Sequence, residues 1–521
     1  MIRQPLVNRT ARGQQSSATV SSPAPIGGWN ARDPEASMPP TEALWLENWW
    51  PSTADVTVRN GAQNHVTGLG AKVMTLMGYA SPTQKRLFAA TNTGIYDASA
   101  GGTAGTPMKS VTSGKFQYAT MTVLGATSLM AVNGVDKLQM FNGTSWQSID
   151  TTTTPSITGI ATTEFSNIAI FKRRVWFVQK HSMSAWYLPV NQIGGAAVEF
   201  PVGQLFRYGG ELVAMTSWTL DGGNGSDDYL VFVTSEGELA VYKGTDPTSG
   251  SSDFALVGVY FVGEPVGPKC CIKYGGDVLI LTQVGLFPLS KMVQSTTVNR
   301  AQAVSNKIDL IFSQAASVYG TNYGWEGVVF PKENMLLVNV PTTEGYSSNQ
   351  LCMNTITGAW CLFTGWNAFC WEVWDQKLYF GGDGFVAQAM VGYEDFGANI
   401  TAYAKGAFNY FGSRGRNKHF KLFRPIIKVD GDISIDIGMD VDFQDVDTFG
   451  SIVFADTISS KWDAATWDTA TWSGDYTAQR DWRTVANKEG FCAALRLRVA
   501  TKGIRVGWSS TDFVYQRGGV L

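Results

Sequence analysis

Between residues 70 and 400 the apolar positions come in short runs. Each run is followed by a turn containing Gly or a polar pair, then by a second run ending on an aromatic or aliphatic residue. The pairs lie at 87–90 with 93–96, 129–132 with 137–141, 175–178 with 185–188, 229–233 with 238–242, 278–281 with 285–287, 336–338 with 350–352 and 378–380 with 385–387. Runs this short, rich in β-formers and bounded by turn residues, predict β-hairpins. The seven hairpins start 42 to 58 residues apart, which brackets the roughly 40 to 50 residues of a four-stranded propeller blade. The pattern predicts a mainly β chain with a β-propeller-like domain of about seven blades over 70–400. A string of unrelated hairpins in sandwiches is the competing architecture.

The pattern changes after residue 400. Ile433, Ile435, Ile437, Met439, Val441 and Phe443 alternate with Asp432, Ser434, Asp436, Gly438, Asp440 and Asp442, as in a strand with one buried and one acidic face. Further runs at 494–499 and 504–508 make 401–521 a separate antiparallel β domain, and Trp462, Trp467 and Trp472 recur inside it. Residues 1–27 are polar and rich in Ser, Thr, Pro and Gly, a flexible N-terminal arm that orders only against a neighbour. Residues 28–69 join the arm to the β domains and contain one predicted helix. Thr41 stands as its N-cap, Glu42 lies in its first turn, and apolar residues follow at helical spacing to Trp49 before Pro51.

Charge narrows the function. With 40 Lys and Arg against 43 Asp and Glu, a net charge of −3, the chain lacks the basic excess that holds nucleic acid. Charged residues are 16% of the chain, against roughly 25% in an average globular protein, while Gly numbers 56 and the aromatic residues 64. That mix favours tight turns and an uncharged surface that partners cover. No run approaches the roughly 18 apolar residues of a membrane helix, and residues 1–20 carry no apolar signal core, so neither stable membrane insertion nor conventional secretion is expected.

Candidate chemistry is sparse. His65, His181 and His419 each stand alone, and the nucleophile-elbow, zincin and phosphate-loop motifs are absent, so no catalytic residue is assigned and the protein is not expected to be an enzyme. Six cysteines are few for 521 residues; Cys270-Cys271 is a poor disulfide pair, and Cys352, Cys361 and Cys370 have neither a CxxC partner nor a nearby His. They read as buried thiols, and no metal or cofactor is expected. Residues 222–230 match one copy of a calcium-binding nonapeptide that works only in stacked copies, so a polar turn is the simpler account. Paired carboxylates drawn from distant blades stay open, since sequence cannot place them. The basic block Arg414, Arg416, Lys418, His419, Lys421, Arg424 and Lys428 precedes seven aspartates, which predicts strands of opposite charge side by side more readily than a single-stranded nucleic-acid site.

Two stretches, taken whole, carry a resemblance. Pro25-Ile26-Gly27-Gly28-Trp29-Asn30, Pro39-Pro40, Ala43-Leu44, Glu47-Asn48-Trp49, Pro51 and Val58-Arg59-Asn60-Gly61 resemble the opening of a family of structural proteins from tailed bacteriophages. Trp462-Asp463, Trp467-Asp468, Trp472, Ala494-Leu495-Arg496-Leu497-Arg498, Trp508, Thr511-Asp512, Tyr515 and Gly518-Gly519 resemble that family's C-terminal β domain. Within the family the chain is most similar to the tail nozzle (tail tube B) proteins of short-tailed phages.

The resemblance implies a propeller-like domain joined to a β-platform domain, and a six-fold homo-oligomeric ring below the tail adaptor. It also implies a conduit for double-stranded DNA during genome ejection, a docking surface for tail fibre proteins, and residence in the virion after synthesis in the host cytoplasm. Trp45, Trp49 and Trp50, together with the arm, are the expected subunit contacts. A conduit that lets DNA slide favours a repelling wall, so Asp432, Asp436, Asp440 and Asp442 are candidates to face the channel; an outward solvated face is the alternative for this strand. A receptor- or glycan-binding propeller adhesin, and after it a propeller glycosidase, are the competing functions.

Overall fold

The computed structural model describes residues 17–221, 226–248, 253–294, 299–445, 450–454, 477–479 and 482–520. Strands covered on both faces read in sequence as unbroken apolar runs, and all seven predicted hairpins are of this kind, each an antiparallel pair. Each belongs to a meander. Four strands make the second, Gln117–Val123, Ala126–Val132, Leu138–Phe141 and Trp146–Ile149. The third runs from Phe165–Phe171 to Val198–Pro201, the fourth from Leu212–Asp221 to Ala255–Phe261, and the sixth from Glu326–Phe330 to Trp360–Phe363. The fifth has three strands, Cys271–Tyr274, Asp277–Thr282 and Gly285–Pro288.

The first and seventh meanders share one strand. Ala62–Ala80 pairs through its first half with Asp383–Ala389 of the seventh and through its second half with Lys85–Thr91 of the first. The first strands of successive meanders lie beside one another from Gln117–Val123 onward, and Cys370–Trp374, which opens the seventh, touches Ala62–Ala80.

Neighbouring meanders are sealed by alternating side chains. In Ala126–Val132, Leu129 and Ala131 pack with Met77, Phe88 and Ile95 of the first meander, while Met130 and Val132 pack with Ile168, Val175 and Phe177 of the third. One position along, Trp176 and Val178 turn to Leu230, Phe232 and Tyr242 of the fourth. Successive strand residues point to opposite faces, so each four-residue run serves two cores. Between the fifth and sixth meanders the chain forms the helix Asp309–Tyr319, which buries Phe312 and Ala316 and was not predicted.

The chain beyond residue 400 is antiparallel β, as expected, but it is continuous with the sixth meander. A nine-stranded sheet runs from Glu326–Phe330 through Trp360–Phe363 to Ala43–Glu47, and on through Ile400–Gly406, Ala493–Thr501 and Ile433–Val441 to Gly450–Phe454. A second sheet pairs Arg416–Val429 with Val506–Val520; Ser17–Pro23, part of the predicted arm, lies along Val506–Val520 in register from Ser17 opposite Gln516 to Pro23 opposite Ser510. That portion of the arm is therefore ordered by its own chain. Trp462, Trp467 and Trp472 lie outside the described residues, as do residues 222–225 of the nonapeptide.

The predicted helix at 41–49 is corrected: Ala43–Glu47 and Trp49–Pro51 are strands. A helix there would satisfy only its own backbone. As a strand, the segment fills the gap between the sixth meander and Ile400–Gly406, where aromatic side chains also pack well, and this tertiary pairing outweighs local propensity.

Candidate functional site

Asn48 separates those two strands with φ 56°, a left-handed conformation that Asn tolerates better than most residues, and so steers the chain from one sheet into the other. Its side chain ties three regions together. Nδ2 donates to the Thr364 hydroxyl at 2.9 Å and the Thr401 carbonyl at 2.8 Å, while Oδ1 accepts from Thr364 N and from Arg59 Nε. Arg59 is 1% exposed, yet its guanidinium is fully engaged. It forms a two-pronged pair with Asp395 at 3.0 and 2.6 Å, donates to the Asn60 and Thr364 carbonyls, and lies 4.2 Å over the Trp366 ring. A buried charge is tolerable when paired and hydrogen-bonded in this way.

The rest of the opening motif meets the same junction. Gly28, with φ 77°, lies so close to Trp360 that a Cβ would come within 2.6 Å of its backbone, and at Gly61 a Cβ would meet the Glu394 carbonyl at 1.8 Å. Trp29 donates through Nε1 to the Leu44 carbonyl and through its backbone to Trp360. Trp49 is fully buried and meets Trp508 edge to face at 6.4 Å.

Trp49 is therefore corrected as a subunit contact, being used up inside the chain. Trp45 and Trp50 are half-buried, against Trp29 and Phe363 respectively. The four candidate channel aspartates do not share one exposed face. Asp432 is exposed and Asp436 half-buried. Asp440 is 0% exposed, 3.0 Å from Arg496 and 3.5 Å from Lys405. Asp442 lies beyond the strand at φ 51°, where its carboxylate accepts from the backbone of Phe491 and Cys492. The alternation continues, but other strands cover this end of the acidic face, so Asp440 cannot line a channel. In the basic block, Arg424 pairs with Asp512 at 2.6 Å and His419 with Glu489 at 3.1 Å, both on adjacent strands; Lys418 is buried and donates to three carbonyls. All six cysteines are free and five of them are buried.

A second constellation, not foreseen from sequence, lies where the first strands of the meanders converge. A cavity of about 190 Å³ is lined by Tyr118, Asn167, Thr216, Lys269 and Glu326, with Met215 and Ile168 among its apolar members. Lys269 Nζ pairs with Glu326 Oε1 at 2.9 Å, and the two side chains retain 14% and 15% exposure. Burial alone would lower the Lys269 pKa, but the neighbouring Glu326 carboxylate reverses this and raises it. Beside the cavity, Tyr118 donates to Glu372 Oε2 at 2.6 Å. Burial pushes the Glu372 carboxyl up to about 7 against the opposing pull of that hydrogen bond, and Tyr118 itself is raised, first by burial and then by Glu372. No sequence motif signals these residues, because they are spread along the chain from the second meander to the seventh.

Among the described residues no group of three or more His, Cys, Asp and Glu is placed to hold a metal, and no helix is long and apolar enough to cross a membrane. No family model and no curated protein matches the chain. Among solved structures it is similar to BBS1N in complex with ARL6DN, at 9% identity and TM-score 0.37 over 64% of this chain and 98% of that one. It is also similar to Raptor of Chaetomium thermophilum, at 10% and 0.38 over 64% of this chain and 29% of that one. A third is a glycoside hydrolase family 43 arabinoxylan arabinofuranohydrolase of Bacillus subtilis, at 10% and 0.24 over 86% of this chain and 96% of that one. Likeness at these scores carries no functional inference.

Proposed function

We propose that the chain is a structural subunit of the tail nozzle of a short-tailed bacteriophage. It forms a six-fold ring that conducts the genome during ejection and offers tail fibres a docking surface. The observation that carries this reading is where the residues of the resemblance lie. Gly28, Trp29, Asn48, Trp49, Arg59, Gly61 and Trp508 belong to one junction that fastens the meanders to the C-terminal sheets. Such residues serve rigid connection, as a subunit that transmits force through a ring requires, and none of them forms a reactive constellation.

In this reading the seven meanders are the blades of a seven-bladed propeller. Support comes from the contacts between successive first strands and from Ala62–Ala80, which would close the circle by joining the seventh blade to the first. The two C-terminal sheets are the platform. The subunit acts without catalysis or a resident cofactor, resides in the virion, and meets the tail adaptor and the fibres as protein partners.

Negative-stain microscopy and light scattering of the purified full chain test the proposal. A ring with a central channel and a mass of about six subunits is the expected result. A monomer or trimer at virion-like protein concentrations refutes it.

A further inference from the structure

The cavity at the convergence of the first strands has no part in the assembly reading, and its chemistry points to a ligand of its own. Five meanders contribute to its wall: Tyr118 from the second, Asn167 from the third, Ala214 and Thr216 from the fourth, Lys269 from the approach to the fifth, and Glu326 and Gly327 from the sixth. Small residues make the space. Ala214 projects little, and Gly327 adds no side chain to the wall; its Cβ position is taken by Ile272, which approaches to 1.9 Å from behind the lining.

Several of the polar groups are weakly satisfied by the protein. Asn167 is 5% exposed and its Nδ2 reaches the Pro268 carbonyl only at 3.4 Å; Thr216 is 6% exposed and its hydroxyl reaches the Ser217 carbonyl at 3.4 Å. Both distances lie beyond the usual range for such bonds, and buried polar groups ordinarily find better partners. Lys269 gives one N–H to Glu326, whose other oxygen accepts from Trp371 N at 3.1 Å.

The charge is balanced within the site, because the Lys269–Glu326 pair compensates itself. A charged ligand would bring an uncompensated charge into a largely desolvated space, which is costly. A neutral ligand bearing hydroxyls can donate to Glu326 and accept from Lys269 without breaking their pair, and can complete the bonding of Asn167 and Thr216. Ile168, Met215 and Pro268 offer apolar surface to a C–H face. The volume would hold about six waters at roughly 30 Å³ each, the space of one pyranose ring with its hydroxyls. We propose that this cavity binds a single neutral sugar ring. The proposal concerns one chain and stands whether or not the chain assembles.

The test is calorimetric titration of the full chain with a panel of free neutral hexoses and N-acetylhexosamines, with glycerol, glycine and inorganic phosphate as comparison probes. At least one neutral sugar should bind saturably, with a Kd of about 1 mM, near −4 kcal/mol. Ala214→Leu, which fills the space, should abolish the binding. Thr216→Val, which keeps the shape and removes the hydroxyl, should weaken it by about threefold to tenfold, the worth of one hydrogen bond. Should Ala214→Leu fail to fold, Thr216→Val alone decides. Absence of saturable sugar binding, equal affinity in the folded variants, or preference for glycine, phosphate or glycerol overturns the proposal.

Discussion

Glu372 offers a quantitative check on the cavity region, because its proton is coupled to folding. Burial raises its carboxyl from the ordinary 4.5 to about 7 in the folded chain. Below pH 4.5 the folded and unfolded chains both hold the proton, and the group adds no pH dependence. Between 4.5 and 7 the unfolded chain releases the proton while the folded chain retains it, so stability falls as pH rises; above 7 the loss is complete. At about 1.4 kcal/mol per unit, the full span amounts to about 3 kcal/mol. Glu372→Gln keeps a carbonyl to accept the Tyr118 hydroxyl but carries no proton to lose. Urea unfolding of both proteins at pH 4.5, 6, 7 and 8 isolates the effect, since titration elsewhere cancels in the difference. The stability of the variant relative to wild type should rise by about 3 kcal/mol from the lowest to the highest pH, most steeply between 5 and 7. Parallel profiles would falsify the placement of Glu372 as an enclosed carboxyl beside Tyr118.

Asp440→Asn removes a fully buried carboxylate that lies 3.0 Å from Arg496 and 3.5 Å from Lys405 and should cost about 3 to 5 kcal/mol in chemical unfolding, whereas Asp432→Asn at an exposed site should cost less than about 1 kcal/mol; equal effects would contradict the burial of Asp440. Trp49→Ala should destabilise the chain by about 3 to 5 kcal/mol, and Trp45→Ala by less than about 2 kcal/mol, so only the second is a usable probe of subunit contact by light scattering. Arg59→Lys cannot reproduce the two-pronged pair with Asp395 and should lower stability by about 2 to 3 kcal/mol, read as an earlier urea midpoint. Removing residues 1–27 deletes the strand Ser17–Pro23 and should lower the thermal midpoint of the isolated chain as well as reduce assembly; an unchanged midpoint would show that this edge strand adds no stability.

Much of the β architecture was legible along the chain because its causes are local. A strand buried on both faces needs consecutive apolar residues, and a hairpin needs its turn within a few positions, so 129–132 and 175–178 declared both their state and their neighbours in sequence. The alternation at 433–441 declared a strand for the same reason. What lies over that strand is not local. Asp440 and Asp432 look alike in sequence, and only the tertiary structure, which brings Arg496 and Lys405 from neighbouring strands of the sheet against one of them, makes it a buried ion and the other a surface one. Ala43–Glu47 has the spacing of a helix, but the partners waiting on either side, 315 positions away at Leu362 and further still at Tyr403 to Gly406, decide for a strand because they satisfy its backbone and cover its side chains together. The cavity depends still more on the fold. Tyr118 and Glu372 are 254 positions apart, and Asn167 and Pro268 are 101 apart. No short-range pattern encodes such a meeting; the order and curvature of the meanders bring these groups together, and the low-dielectric interior they share gives them their chemistry.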